Sequence, residues 1–312
     1  MKRSDTEGAT GKVTRLEAGL RMVLAGNPSP MTYRGTNTYI VGTGAVAVID
    51  PGPDDARHMA AILAALEPGE RISHILVTHA HFDHSPLSRA LSGRTGAPVL
   101  AFGGAEAGRS ATMAALAEAG HLRGGEGVDT GFAPDQTLAE GDIVRGGDWA
   151  LRAIHTPGHF ANHLSFAATL PCGPVIFSGD HVMGWATSLV SPPDGDMGAY
   201  FRSLDRLAGE PARRFHPGHG DPVADPAARI AELRTHRRMR EAQILAALAP
   251  GPANAATLAR SIYLDTPPAL LPAAERNVLA HLIDLTEQGR VTHPGAIAPA
   301  TEFRLTEGAK IF

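Results

Sequence analysis

Thr78-His79-Ala80-His81-Phe82-Asp83-His84 places three imidazoles and one carboxylate within seven residues. Directly before it, Ile72-Ser73-His74-Ile75-Leu76-Val77 is short, apolar and rich in β-branched side chains, the pattern of a buried strand. A ligand-dense loop at the end of a rigid strand points to a metal site, because imidazole and carboxylate are donors that divalent ions accept.

Three further segments put a His or Asp at the end of a strand-like run, followed by a turn. His155-Thr156-Pro157-Gly158-His159 follows the apolar run 151–154, and its Pro-Gly pair aims His159. Val175-Ile176-Phe177-Ser178-Gly179-Asp180 ends at a carboxylate, with Gly179 permitting close backbone approach. Phe215-His216-Pro217-Gly218-His219-Gly220 again sets a His after Pro-Gly.

The 312 residues suffice for one large domain and a small one, and a 43% hydrophobic content supplies a core. A single cysteine, Cys172, excludes an internal disulfide framework and a cysteine-based structural zinc site. The start, 1–8, has no apolar stretch after its basic residues, and no run of about 18 apolar residues follows. These features predict a cytoplasmic protein without a membrane span. The net charge of −4 is divided unevenly: residues 1–228 hold 18 Lys/Arg against 24 Asp/Glu, and residues 229–312 hold 10 against 8. The mildly basic tail permits contact with a polyanion without requiring it.

Along the chain, residues 1–12 read as a poorly ordered leader. Strand-like runs at 20–24, 38–41 and 45–49 lead into Asp50-Pro51-Gly52, and 54–66 has helical spacing with Asp54 or Asp55 as N-cap. A short helix at 86–91 and a strand at 98–101 follow the ligand loop. Residues 103–131 read as a flexible connection carrying a helix near 111–119, a candidate lid. Strands are expected at 142–144, 151–154, 164–167 and 175–177. The long helix at 227–248 is read with Arg229, Arg234, Arg237, Arg238 and Arg240 on its outer face, and Pro250-Gly251-Pro252 breaks it. Helices at 255–263 and 273–288 and a hairpin from 289–293 to 302–306 complete a winged-helix outline. The reading is layered α/β (α+β) sheets over 1–228 and a winged helix over 229–312.

In order and spacing the four ligand segments resemble the motif set of the metallo-β-lactamase-fold hydrolases: Thr-His-x-His-x-Asp-His at 78–84, Thr-Pro-Gly-His at 156–159, Gly-Asp at 179–180 and Pro-Gly-His-Gly at 217–220. Asn37-Thr38-Tyr39-Ile40-Val41 and Ile49-Asp50-Pro51-Gly52 are similar to that family's opening strands. The resemblance implies a four-layer αββα sandwich. It further implies that His79, His81 and His159 hold one metal, that Asp83, His84 and His219 hold a second, and that Asp180 bridges them. Two divalent ions per chain follow, zinc by preference for imidazole, with iron or manganese able to use the same donors. The implied reaction is hydrolysis of an ester, thioester or phosphodiester by a metal-bridged hydroxide, with Asp83 as ligand and general base.

The segment His236-Arg237-Arg238-Met239-Arg240-Glu241-Ala242-Gln243-Ile244-Leu245 soon after Pro-Gly-His-Gly resembles the start of the C-terminal winged-helix extension in the β-lactamase-like protein 2 group, some of whose members cleave single-stranded RNA. Implied partners are therefore a small-molecule ester or thioester, or single-stranded RNA, and a homodimer is an allowed assembly. An iron-dependent persulfide dioxygenase and a non-catalytic scaffold are the competing classes, and the complete second ligand set argues against both. His181, next to Asp180, and His163, four residues after His159, are candidate substrate contacts or ligand-orienting groups; Asn37 and Arg34, on a loop that can reach the site, are candidate substrate contacts or structural residues. His58 and His74 read as helix-surface or strand residues, His155 and His216 as packing residues, and Cys172 as inert.

Overall fold

The computed structural model describes residues 10–122 and 127–308, so the leader read at 1–12 lies outside the described residues over 1–9. Seven strands form the first sheet in chain order: β1 (Val13–Glu17), β2 (Leu20–Leu24), β3 (Asn37–Val41), β4 (Ala45–Ile49), β5 (Arg71–Leu76), β6 (Val99–Ala101) and β7 (Gln136–Thr137). β1 to β4 pair antiparallel, and pairing is parallel from β4 onward. Parallel neighbours need crossovers, supplied by α1 (Ala56–Ala64) and α2 (Leu87–Thr95). Asp55 caps α1 by accepting from Arg57 N at 2.8 Å, and left-handed Gly96 ends α2.

The second sheet runs in the order β12-β11-β10-β9-β8, from β8 (Ile143–Arg145), β9 (Ala150–His155), β10 (Leu164–Leu170), β11 (Gly173–Gly179) and β12 (Arg214–Pro217). Its one parallel pair, β11 with β12, is joined through α4 (Met197–Ala208), a helix not placed from the sequence. Leu20, Tyr39 and Ile49 of one sheet meet Leu151, Phe166 and Phe177 of the other in one hydrophobic core. Ile62 and Leu91 cover the outer face of the first sheet, and Tyr200, Leu204 and Leu207 cover that of the second. The order is therefore helix, sheet, sheet, helix, the αββα sandwich the motifs implied. Both ligand-bearing sheets send loops to the same edge.

The C-terminal module contains α5 (Pro226–Leu248), α6 (Ala255–Ile262), α7 (Leu271–Glu287) and the wing β13 (Val291–Thr292) with β14 (Arg304–Leu305). Leu258, Val278, Leu282 and Phe303 form its core. α5 runs unbroken through residue 228: Ile230 and Leu233 pack with the second sheet and α4, whereas Ile244, Leu245 and Leu248 pack in the winged-helix core.

Three expectations change here. Arg237 is not on an outer face but only 1% exposed, while Arg229 donates to the Met183 and Ala186 carbonyls, each at 2.7 Å. Arg234 pairs with Asp205, Arg238 with Glu241, and Arg240 with Gln243. The face thus uses its cations internally. The helix α3 (Ala111–Ala119) is no lid either, because Met113 and Leu116 pack into the winged-helix core and Thr112 Oγ1 donates to Glu287 Oε1 at 2.5 Å. His58, read as a surface residue, is buried and bonded to Thr38 Oγ1 at 2.8 Å. Among the described residues no helix is long and apolar enough to cross a membrane.

Candidate metal centre

Past the end of β5 the chain turns sharply, with His84 N and Ser85 N both donating to the His81 carbonyl. The backbone on either side is pinned: Phe82 N donates to Gly127 O at 2.8 Å and Asp129 N to Ala80 O at 2.9 Å. This turn divides the four candidate ligand side chains of the loop into two groups. His79, His81 and His159 form one cluster and Asp83, His84 and His219 another. His81 Nδ1 lies 2.9 Å from His79 Nε2 and 3.1 Å from His159 Nε2. His219 Nε2 lies 3.0 Å from Asp83 Oδ2 and 3.3 Å from His84 Nε2. Asp180 stands between the clusters, with Oδ2 at 3.3 Å from His219 Nε2 and 3.8 Å from His159 Nε2, and Oδ1 at 3.6 Å from His84 Nε2.

Hydrogen bonds behind the ligands decide which nitrogen faces inward. A carbonyl only accepts, so His159 carries its proton on Nδ1, bonded to Leu189 O at 2.6 Å, and His219 on Nδ1, bonded to Gly35 O at 3.1 Å. His84 Nδ1 donates to Asp50 Oδ2 at 2.9 Å. Thr78 Oγ1 gives its proton to the same Oδ2 at 2.8 Å and so accepts from His79 Nδ1 at 2.9 Å. Four Nε2 atoms are thereby turned inward, joined by His81 Nδ1.

Burial pushes His79 well down and His81 down to about 3, with the neighbouring imidazoles adding to the effect, so both rings are neutral and free to donate lone pairs. Burial also works against the carboxylates of Asp83 and Asp180, yet His84 and His219 hold both well below the usual carboxylate range. His219 is lowered by burial, but Asp180 and its hydrogen bonds to Asp180 and Asp83 win, carrying it up to about 10. Divalent cations would take over the role these imidazolium charges play. Asp180 Oδ1 is buried without a hydrogen-bond partner. With clustered lone pairs, an unpartnered carboxylate oxygen and no thiolate nearby, the donors fit two divalent ions.

Asp50 is the residue that sequence reasoning passed over. Buried, and in the left-handed region at φ 51°, it accepts from Thr78 N at 2.7 Å as well as from Thr78 Oγ1 and His84 Nδ1. Its signal was available: a carboxylate closing an apolar strand before Pro51-Gly52. Gly218 is equally constrained, since a Cβ there would sit 2.4 Å from Asp180 Oδ1 and 2.7 Å from His84 Cε1.

Of the four candidate substrate contacts, three are buried. Asn37 is buried and clamps the 217–220 turn, its Nδ2 donating to Pro217 O at 3.0 Å and Gly220 O at 2.8 Å. His163 is sealed behind Asp180, bonding Thr156 Oγ1 through Nδ1 and accepting from Asp180 N at 3.2 Å. His181 is also fully buried, its ring 4.5 Å from that of Tyr200. Of the four, Arg34 alone is near the surface, paired with Asp221 and lying over the Tyr33 ring. The side chains at the rim are apolar instead: Phe82, between two ligands, is 55% exposed, and Tyr33 stacks on Trp185 at 4.9 Å beside Gly220.

Two clusters of His and Asp joined by one aspartate, at the loop edge of an αββα sandwich, define a metallo-β-lactamase-type centre. The chain belongs to the metallo-beta-lactamase superfamily, whose family model matches residues 31–219, and it carries a beta-lactamase associated winged helix domain matched over residues 255–298. It is 31% identical over 289 residues to the beta-lactamase-like protein 2 homolog of Drosophila melanogaster, covering 89% of this chain and 91% of that one. An atrochrysone carboxyl ACP thioesterase of Aspergillus chevalieri is 32% identical over 240 residues, 76% of this chain and 68% of that protein. Among solved structures, a metallo-beta-lactamase family protein from Thermus thermophilus superposes with a TM-score of 0.74 at 26% identity, covering 94% of this chain and 100% of that one.

Proposed function

We propose that this chain is a dinuclear metallohydrolase that cleaves a thioester or ester bearing an apolar acyl group. The observation that carries the reading is the position of Asp180 between two complete donor clusters. In it His79, His81 and His159 would hold one ion, Asp83, His84 and His219 would hold the other, and Asp180 lies within reach of both. Zinc is the ion we assign, from the five imidazole donors and the absence of thiolate among the seven ligands. Two such ions supply a water ionised near neutral pH and a Lewis acid for the carbonyl oxygen.

The protein's own contribution is positioning. The Asp83 side chain is 25% exposed at the mouth of the site, where its carboxylate can take the proton of the attacking water. Phe82 and the Tyr33–Trp185 stack offer apolar surface beside the ligands, which suits an acyl chain better than a polyanion. Thioester cleavage is favoured over RNA cleavage for two reasons: relatives at 31–34% identity are named atrochrysone carboxyl ACP thioesterases, and the α5 arginines are engaged within the fold. The paired clusters likewise favour hydrolysis over a single-iron dioxygenase.

The test is one preparation with measured metal content, assayed in parallel on an apolar acyl thioester, single-stranded RNA and a β-lactam. Two ions per chain and thioester turnover that is nearly insensitive to salt are expected. Cleavage of RNA alone, weakening steeply with salt, would replace this reading by the nuclease one.

A further inference from the structure

Arg237 is the largest side chain that the fold buries completely, at 1% exposure. A guanidinium is withdrawn from water only where acceptors replace it, so its partners show what it is for. Its Nη2 donates to the Ser188 carbonyl, its Nη1 donates to Asn277 Oδ1 at 3.1 Å, and its plane lies over the Tyr200 ring at 5.0 Å. Asn277 Oδ1 also accepts from Val190 N at 3.1 Å. Helices α5 and α7 therefore grip both ends of the tripeptide Ser188-Leu189-Val190.

The middle of that tripeptide is the carbonyl that takes the His159 Nδ1 proton, at 2.6 Å. Its first residue faces the bridging aspartate, with Ser188 Oγ 2.5 Å from Asp180 O and 3.0 Å from His181 O. Three consecutive residues thus touch two metal ligands on one side and the C-terminal module on the other. We infer that Arg237 and Asn277 are positioning residues of the metal centre: through residues 188–190 they hold His159 in the tautomer that turns Nε2 inward and fix the backbone of Asp180. In this arrangement the winged-helix module completes the hydrolase site rather than serving as a separate binding domain. The inference rests on the dinuclear reading above.

The test uses the full chain, with Asn277→Ala, Asn277→Asp and Arg237→Met. Zinc affinity is read by competition with a chromophoric chelator, ligand geometry by the visible absorption of the cobalt(II)-loaded protein, and folding by thermal unfolding in chelator. Asn277→Ala should fold cooperatively yet bind one of its two ions about tenfold or more weakly, with an altered cobalt spectrum. Asn277→Asp keeps an acceptor for both Val190 N and Arg237, and should bind as the parent does. Arg237→Met should repeat the Ala result, and if it does not fold, the Asn277 pair decides. A folded Asn277→Ala protein with parental zinc affinity and cobalt spectrum overturns the inference alone. A parent chain that binds no divalent ion overturns the dinuclear reading and the inference together.

Discussion

Replacing Asp50 by Asn changes one atom of a buried side chain and should reach the metal centre through a proton. Thr78 N donates to Oδ1, whereas Thr78 Oγ1 and His84 Nδ1 both donate to Oδ2. If the Asn oxygen stays with Thr78 N, its amide NH2 meets two donors where a carboxylate oxygen stood. His84 then gives up the Nδ1 proton and carries it on Nε2, the atom 3.3 Å from His219 Nε2 and 3.5 Å from Asp83 Oδ2. That lone pair is no longer available to a cation. A charge-assisted bond contributes about 1.5–3 kcal/mol, and taking one as the net loss gives about 2 kcal/mol, a factor of about 30 in affinity for the second ion. The same loss lowers the melting midpoint by roughly 4–8 °C for a domain of this size. Competition titration resolves the two binding steps, and calorimetry in chelator isolates the fold. An Asp50→Asn protein holding both ions within about threefold of the parent would refute the tautomer argument.

Asp83→Ala should leave the fold intact and lower kcat on the thioester by about 10²–10⁴, and a variant with full activity would sink the dinuclear mechanism. Gly218→Ala places a methyl against Asp180 Oδ1 and His84, so zinc stoichiometry by atomic absorption should fall below two per chain; two tightly held ions would show that the contact relaxes freely. Asp284 offers a pH test away from the site. Burial, with Glu241, Asp196 and Glu287 adding and Arg238 opposing, raises it to about 6. The folded chain then holds the proton more tightly than the unfolded chain does, so its contribution to stability is full below about pH 4 and is lost as pH climbs through about 6. Asp284→Asn should remove that slope and raise the melting midpoint at pH 7.5 by roughly 6–12 °C; identical pH profiles for the two proteins would contradict it.

The residues that gather in the two clusters were legible because their segments stand at strand ends beside turn residues, and that pattern survives in one dimension. The sandwich followed from it by resemblance, and the structural relatives and the two sheets bear it out. What lay out of reach was contact between distant segments. Arg237 reads as a surface cation because nothing near it in sequence announces Ser188 or Asn277, 49 and 40 residues away. Asp50 lies 28 and 34 residues from the two partners that explain it. Asn37 and His163 are polar groups near ligands, which looks like substrate recognition until their partners prove to be the ligand turns themselves. α4 was locally readable: Asp196 accepts from Ala199 N, and Met197, Tyr200, Leu204 and Leu207 recur on one buried face.

Helix α5 contributes to two hydrophobic cores without a break between them. A rigid 23-residue rod shared in this way has no hinge, so opening one module drags on the packing of the other. In native-state hydrogen exchange, amides around Leu233 and Leu245 should protect to the same free energy and respond together to denaturant. Cutting the chain between the modules would then divide a single cooperative unit, leaving each half with an unpaired apolar stripe where the helix had been.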